Sequence, residues 1–122
     1  ALTLQNLWYA FTGEKCDGQK PIFGVRKSQI FNRNTVAEVF VGSKRGKKHS
    51  DYKVLGYYRE RHCSIYSSLG AIVAEVRRKF GASQVMLSKD VFSVVVKQGI
   101  DHAFIMGLLV ILDQMTRENN SL

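Results

Sequence analysis

Cysteine is scarce in this 122-residue chain, which holds only Cys16 and Cys63. Two cysteines so far apart make neither a disulfide framework nor a CxxC metal motif. Long apolar runs are lacking too. The longest, Ala103 to Leu112, is broken only by Gly107. As a helix it would reach about 15 Å, roughly half of a bilayer core, so no transmembrane span is expected. No G-x-S-x-G elbow, phosphate-binding P-loop or paired-carboxylate motif is present. The chain therefore reads as non-enzymatic, with no catalytic residue and no cofactor. Repeats and low-complexity segments are also missing, and proline occurs once, at Pro21. Residues Ala1 to Asn6 have no charged n-region and no cleavage site. With reduced cysteines, that gives the expectation of an intracellular protein, cytoplasmic and open to membrane association or nuclear entry.

Acidic residues are outnumbered, ten against eighteen Lys and Arg, for a formal charge of +8. Such an excess favours anionic partners without choosing among phospholipid, nucleic acid and acidic protein. The apolar fraction of 45% lies in the globular range, which excludes a mostly disordered chain. The charge is concentrated. Residues 41–62 hold seven basic and two acidic side chains. At their centre, Ser43-Lys44-Arg45-Gly46-Lys47-Lys48-His49-Ser50-Asp51 contains no apolar residue and reads as an exposed loop.

Most of the chain has the pattern of strands. Leu7 to Phe11 is short and aromatic-rich, and Cys16 to Lys20 reads as a turn. Pro21 opens a strand over Ile22 to Lys27, at a position where a missing N–H does little harm. Ser28 to Phe31, Val36 to Val41, Tyr52 to Arg61, Cys63 to Ser67, Ala71 to Arg78, Val85 to Leu87 and Phe92 to Lys97 complete the series. In the run from Ala71, alternation sets Ile72, Ala74 and Val76 on one face against Glu75 and Arg77 on the other. Residues 101–117 differ in kind. Asp101 can cap a helix whose apolar run covers every side, whereas a surface helix shows a stripe. Such a helix must be surrounded by protein, and in a chain of strands the surrounding is sheet. The architecture expected is mainly β, an antiparallel sheet around one hydrophobic C-terminal helix.

Several segments together resemble the plant LURP-one-related family. They are Val39-Phe40-Val41-Gly42, the stretch from Gly56 to Cys63 with its Glu60-Arg61 pair, and Ile72-Val73-Ala74-Glu75-Val76-Arg77-Arg78-Lys79. Phe92-Ser93-Val94-Val95-Val96 and the run from Asp101 to Asp113 complete the match, which extends in order from about Leu4 to Glu118. The resemblance implies a tubby-like antiparallel β-barrel around a central helix, with kinship in fold to tubby C-terminal domains and phospholipid scramblases. It also implies a role in plant defence. Family members carry further strands before the point where this chain begins, so residues 1–122 resemble the C-terminal part of one such domain. An incomplete barrel would leave an open edge, through which the chain could self-associate.

Candidate chemistry is sparse. Cys16, His49, His62 and Cys63 match no zinc spacing, and no metal site is expected. His62 and Cys63 are adjacent on a strand, so they point to opposite faces, and Cys63 reads as a small core residue. His102 reads as a partly buried residue at the helix start. Trp8, Tyr9 and Phe11 read as core rather than as a base-stacking platform, which argues against a nucleic-acid partner. Arg77, Arg78 and Lys79 splay to both faces of a strand end. The candidate anion- or lipid-binding residues are Lys44, Arg45, Lys47 and Lys48, joined by Arg59 and Arg61 on the following strand. Clusters of four to eight Lys and Arg attract anionic membrane. A solvated hairpin loop is the plainer account of the same residues, and Lys44 to Lys48 also matches a nuclear-localisation pattern. The expected function is therefore a tubby-like module for anionic phospholipid or phosphoinositide. The alternatives are a protein-interaction module with an unnamed partner, or a scramblase-like protein.

Overall fold

The computed structural model describes residues 2–4, 7–11, 22–27, 35–42, 49–79 and 91–119. They form eight strands and one helix: β1 (Leu2–Leu4), β2 (Leu7–Ala10), β3 (Phe23–Lys27), β4 (Thr35–Val41), β5 (Tyr52–Tyr57), β6 (His62–Ser67), β7 (Ile72–Arg78), β8 (Phe92–Val96) and α1 (His102–Asn119). All eight strands belong to one sheet in chain order, each antiparallel to the one before. A meander of this kind needs only a reversal between neighbours, and sequential strands tend to pair. Among the described residues no ladder joins β1 to β8. The fold is mainly β and tubby-like, with the helix against an open sheet rather than inside a closed barrel. The expected turn at Cys16 to Lys20 and the expected strands at Ser28 to Phe31 and Val85 to Leu87 lie outside the described residues.

Strand alternation sorts side chains into two layers. Trp8, Val25, Val39, Val54, Ile65 and Val76 point inward and meet Ile105, Leu108, Leu109, Leu112 and Met115 of α1 in a single buried cluster. Full burial of such side chains contributes about 1.5–3 kcal/mol each. On the opposite layer, Glu38 and Phe40 are also buried. Arg26, the register partner of Glu38, makes an ion pair with it and stacks 5.4 Å over the Phe40 ring. Tyr9 lies across Gly24, where an added Cβ would stand only 3.0 Å from the phenol ring. Trp8 is therefore core as expected, whereas Tyr9 serves the outer layer.

Two expected strands change in detail. Ala74 and Val76 face the core as alternation requires, but Ile72 is only half-buried and Val73 is buried instead. The cause is a β-bulge. Ile65 pairs with Ala74 and Tyr66 with Ile72, which leaves Val73 as the extra residue and turns it inward. The extended run expected over Tyr52 to Arg61 ends at Tyr57. Tyr58 to Arg61 form a tight turn, closed by the Arg61 N–H donating to the Tyr58 carbonyl at 2.8 Å. Arg61 takes φ 55°, in the left-handed region. This reversal brings His62 opposite Tyr57.

Asp101 caps α1 as expected, its Oδ1 accepting the Ala103 N–H at 2.8 Å. The enclosure expected around the helix is incomplete. Met106 is 54% exposed and Val110 is 65% exposed. They share one stripe, as residues a turn apart on a helix do. His102 is exposed rather than partly buried.

Candidate functional site

The basic segment leaves the sheet at the end of β4 and returns at the start of β5. Its four cations, Lys44, Arg45, Lys47 and Lys48, lie outside the described residues; its base does not. Gly42 takes φ 77°, a conformation that suits glycine. Its N–H donates to the Ile22 carbonyl at 2.6 Å. Asp51 holds the two strand ends together. Its Oδ2 accepts the Val41 N–H at 2.7 Å, and its own N–H donates to the Val39 carbonyl at 2.8 Å. The Ser68 N–H donates to the Asp51 carbonyl at 2.9 Å, which docks the β6–β7 turn on the same base.

Beside that base opens an apolar cleft of about 300 Å³. Phe23 and Tyr52 form its walls with Phe104 of α1, whose ring stands edge-on to Phe23 and tilted against Tyr52, both at 5.1 Å. Ile22 and Val41 line its mouth, and about half of each side chain's surface is open to solvent. Asp101, at the start of the helix, brings one carboxylate to the lining. Nothing in the order of residues flags this cleft. Ile22 and Val41 read as ordinary strand residues, and their exposure depends on where the helix begins.

Arg59 and Arg61 do not join the base of the basic segment. They occupy the β5–β6 turn, at the other end of a six-residue strand. At roughly 3.3 Å per residue, that is about 20 Å away. The cause is the direction of the chain, since β5 carries it across the sheet before the turn. Arg61 is also engaged. Its guanidinium lies between the rings of Tyr58 and Phe92, at 4.5 and 4.4 Å, and 3.7 Å from the Asp113 carboxylate on α1. Only 11% of its side chain is exposed. Glu60 and Arg61, expected within an extended run, are thus turn residues, and the ion pair of Arg61 reaches the helix. Arg59 is half-buried and already has a partner.

Cys63 is buried and His62 exposed, so the two do face apart. Burial pushes the Cys63 thiol up to about 12, against the lowering pull of Arg77 and Arg61. A thiol held in that state is not a nucleophile at neutral pH. Among the described residues no group of three or more His, Cys, Asp or Glu could hold a metal ion, and no helix is long and apolar enough to cross a membrane.

A family model described as LURP-one-related matches residues 2–113. The chain belongs to the LURP-one-related family. Protein LURP-one-related 12 of Arabidopsis thaliana is 44% identical over 119 residues, covering 96% of this chain and 52% of that protein. Protein LURP-one-related 5 of the same plant is 46% identical over 115 residues, covering 93% of this chain and 53% of its own length. The LURP-one-related chain thus spans about half the length of these curated relatives. An Arabidopsis thaliana protein solved by X-ray crystallography shares the fold, with a TM-score of 0.53 and 27% identity, over 95% of this chain and 74% of that one.

Proposed function

We propose that this LURP-one-related chain is a non-enzymatic binding module that meets anionic phospholipid, phosphoinositide included, through Lys44, Arg45, Lys47 and Lys48. One observation supports the reading above the others. The strand ends that carry the basic segment, Val41 and Tyr52, also line the apolar cleft with its exposed Ile22 and Val41. A basic segment that begins and ends at strand ends beside exposed apolar side chains suits a surface of anionic headgroups over acyl chains. Each Lys or Arg near such a surface contributes about 1 kcal/mol, falling off within a Debye length. Arg59 and Arg61, at the far end of β5, add nothing to that contact.

Flotation with phosphatidylcholine vesicles, with and without a phosphoinositide, tests the reading. The protein should float with the phosphoinositide vesicles, and less as salt rises. The variant with Lys44, Arg45, Lys47 and Lys48 all changed to Glu should stay at the bottom. Equal flotation of the two proteins would remove the basic segment from the account. The second reading, a protein-interaction module acting in plant defence, draws on the exposed stripe of Met106 and Val110 on α1. It predicts no dependence on phosphoinositide.

A further inference from the structure

The sheet face turned away from α1 carries a depression of about 310 Å³ across β5, β6 and β7, which shares no lining residue with the helix-side cleft. Its position follows from the register. Tyr57, His62 and Arg77 form one row across the three strands, and Leu55, Ser64 and Glu75 form the next. Ser64 is the small residue among large ones, so the surface dips there, with Tyr66 on the far side. Gly56, also in the lining, permits the close approach of β5 to β6. It takes φ 111°, and a Cβ at that position would stand 2.5 Å from the His62 carbonyl oxygen.

The chemistry of the lining narrows the ligand. The Arg77 guanidinium is already balanced and held. Its Nη2 lies 3.5 Å from the Glu75 carboxylate, and its Nη1 donates to the Val76 carbonyl at 3.1 Å and the Cys63 carbonyl at 3.5 Å. Arg77 lines the depression, and its ion pair with Glu75, which stands outside the lining, offsets the guanidinium charge, so neither a bare anion nor a bare cation is favoured there. What the depression offers is two phenols, an imidazole and a hydroxyl, each able both to donate and to accept. Tyr57, well exposed, adds a flat ring face, and Leu55 adds an apolar wall. Such a lining suits a ring whose edge carries hydroxyls and whose faces carry C–H groups. We propose that this depression binds a neutral, hydroxyl-rich ring, a sugar or a cyclic polyol. The site is independent of the anionic-lipid reading, since it shares no residue with the basic segment or the cleft. Being shallow and wet, it gives millimolar affinity, as good ligand sites are deeper and mostly apolar.

Amide chemical-shift titration of the chain with cellobiose, with myo-inositol and with inorganic phosphate tests the proposal. Saturable shifts at Tyr57, His62 and Ser64 with either neutral ligand support it, and the stronger of the two identifies the source of the ring. Tyr57→Ala should weaken that binding roughly tenfold or more. Ser64→Leu, which fills the dip without removing its rim, should abolish it while shifts elsewhere stay in place. No saturable shift with either neutral ligand in the unaltered protein overturns the proposal. So does a response to phosphate exceeding both, or a response that survives Ser64→Leu.

Discussion

Cys63 shows how one buried side chain makes stability depend on pH. The thiol has an ordinary value of 9.0 and is pushed up to about 12 by burial. Between those values the unfolded chain gives up its proton and the folded chain keeps it. The thiol's contribution is therefore complete below pH 9 and is lost as pH rises toward 12. The loss is at most about 1.4 kcal/mol per pH unit. Tyr58, raised above 10.0 chiefly by burial, acts in the same direction at higher pH. Urea unfolding below and above pH 9 should show this decline, and Cys63→Val should flatten it between pH 9 and 10, before the Tyr58 contribution begins. An unchanged slope in the variant would assign the decline to other groups. The inward position of Cys63 is legible from its neighbours, because adjacent strand residues face apart. The position of Arg61 is not. Its role depends on a left-handed turn and on Phe92 and Asp113, both far along the chain from it.

Strand alternation and the helix cap can be read locally, so most elements are legible with boundaries near those observed. Bulges cannot, because the extra residue is defined by the partner strand. Val73 is extra only relative to Ile65 and Tyr66. The helix shows the same division. Its apolar run is evident in the sequence, but which side the sheet leaves bare is not. Leu109 belongs to the buried cluster beneath the sheet. Leu109→Asp should abolish cooperative unfolding, since an unpaired carboxylate would replace an apolar side chain there. Val110, the next residue, is mostly exposed. Val110→Asp should change stability by no more than about 0.5 kcal/mol. Chemical denaturation of the pair checks this. A Leu109→Asp variant that melts like the parent would remove α1 from the core.

At the scale of the molecule, charge and apolar surface are both unevenly placed. The basic residues of 41–62 do not gather at one place: Lys53 stands within β5, and Arg59 and Arg61 stand in the turn after it, a strand's length from the base of the basic segment. The open sheet and the stripe of Met106 and Val110 leave surface of a kind that monomers ordinarily cover. We expect self-association that grows with concentration, visible by sedimentation velocity. Met106→Lys with Val110→Lys should shift the protein toward monomer by placing two charges on the stripe. A protein that sediments as a monomer at every concentration would show that neither feature drives assembly.

Composition and pattern alone determined that the chain is mainly β with one hydrophobic C-terminal helix, and that its positive charge is concentrated in the residues that follow β4. These properties are written in neighbouring residues and their period. Tertiary structure alone decided the rest. Arg61 became a contact between turn, strand and helix, Ile22 and Val41 became the mouth of a cleft, and Ser64 became the floor of a depression. Each of these depends on register and helix placement, which bring together residues far apart in the chain.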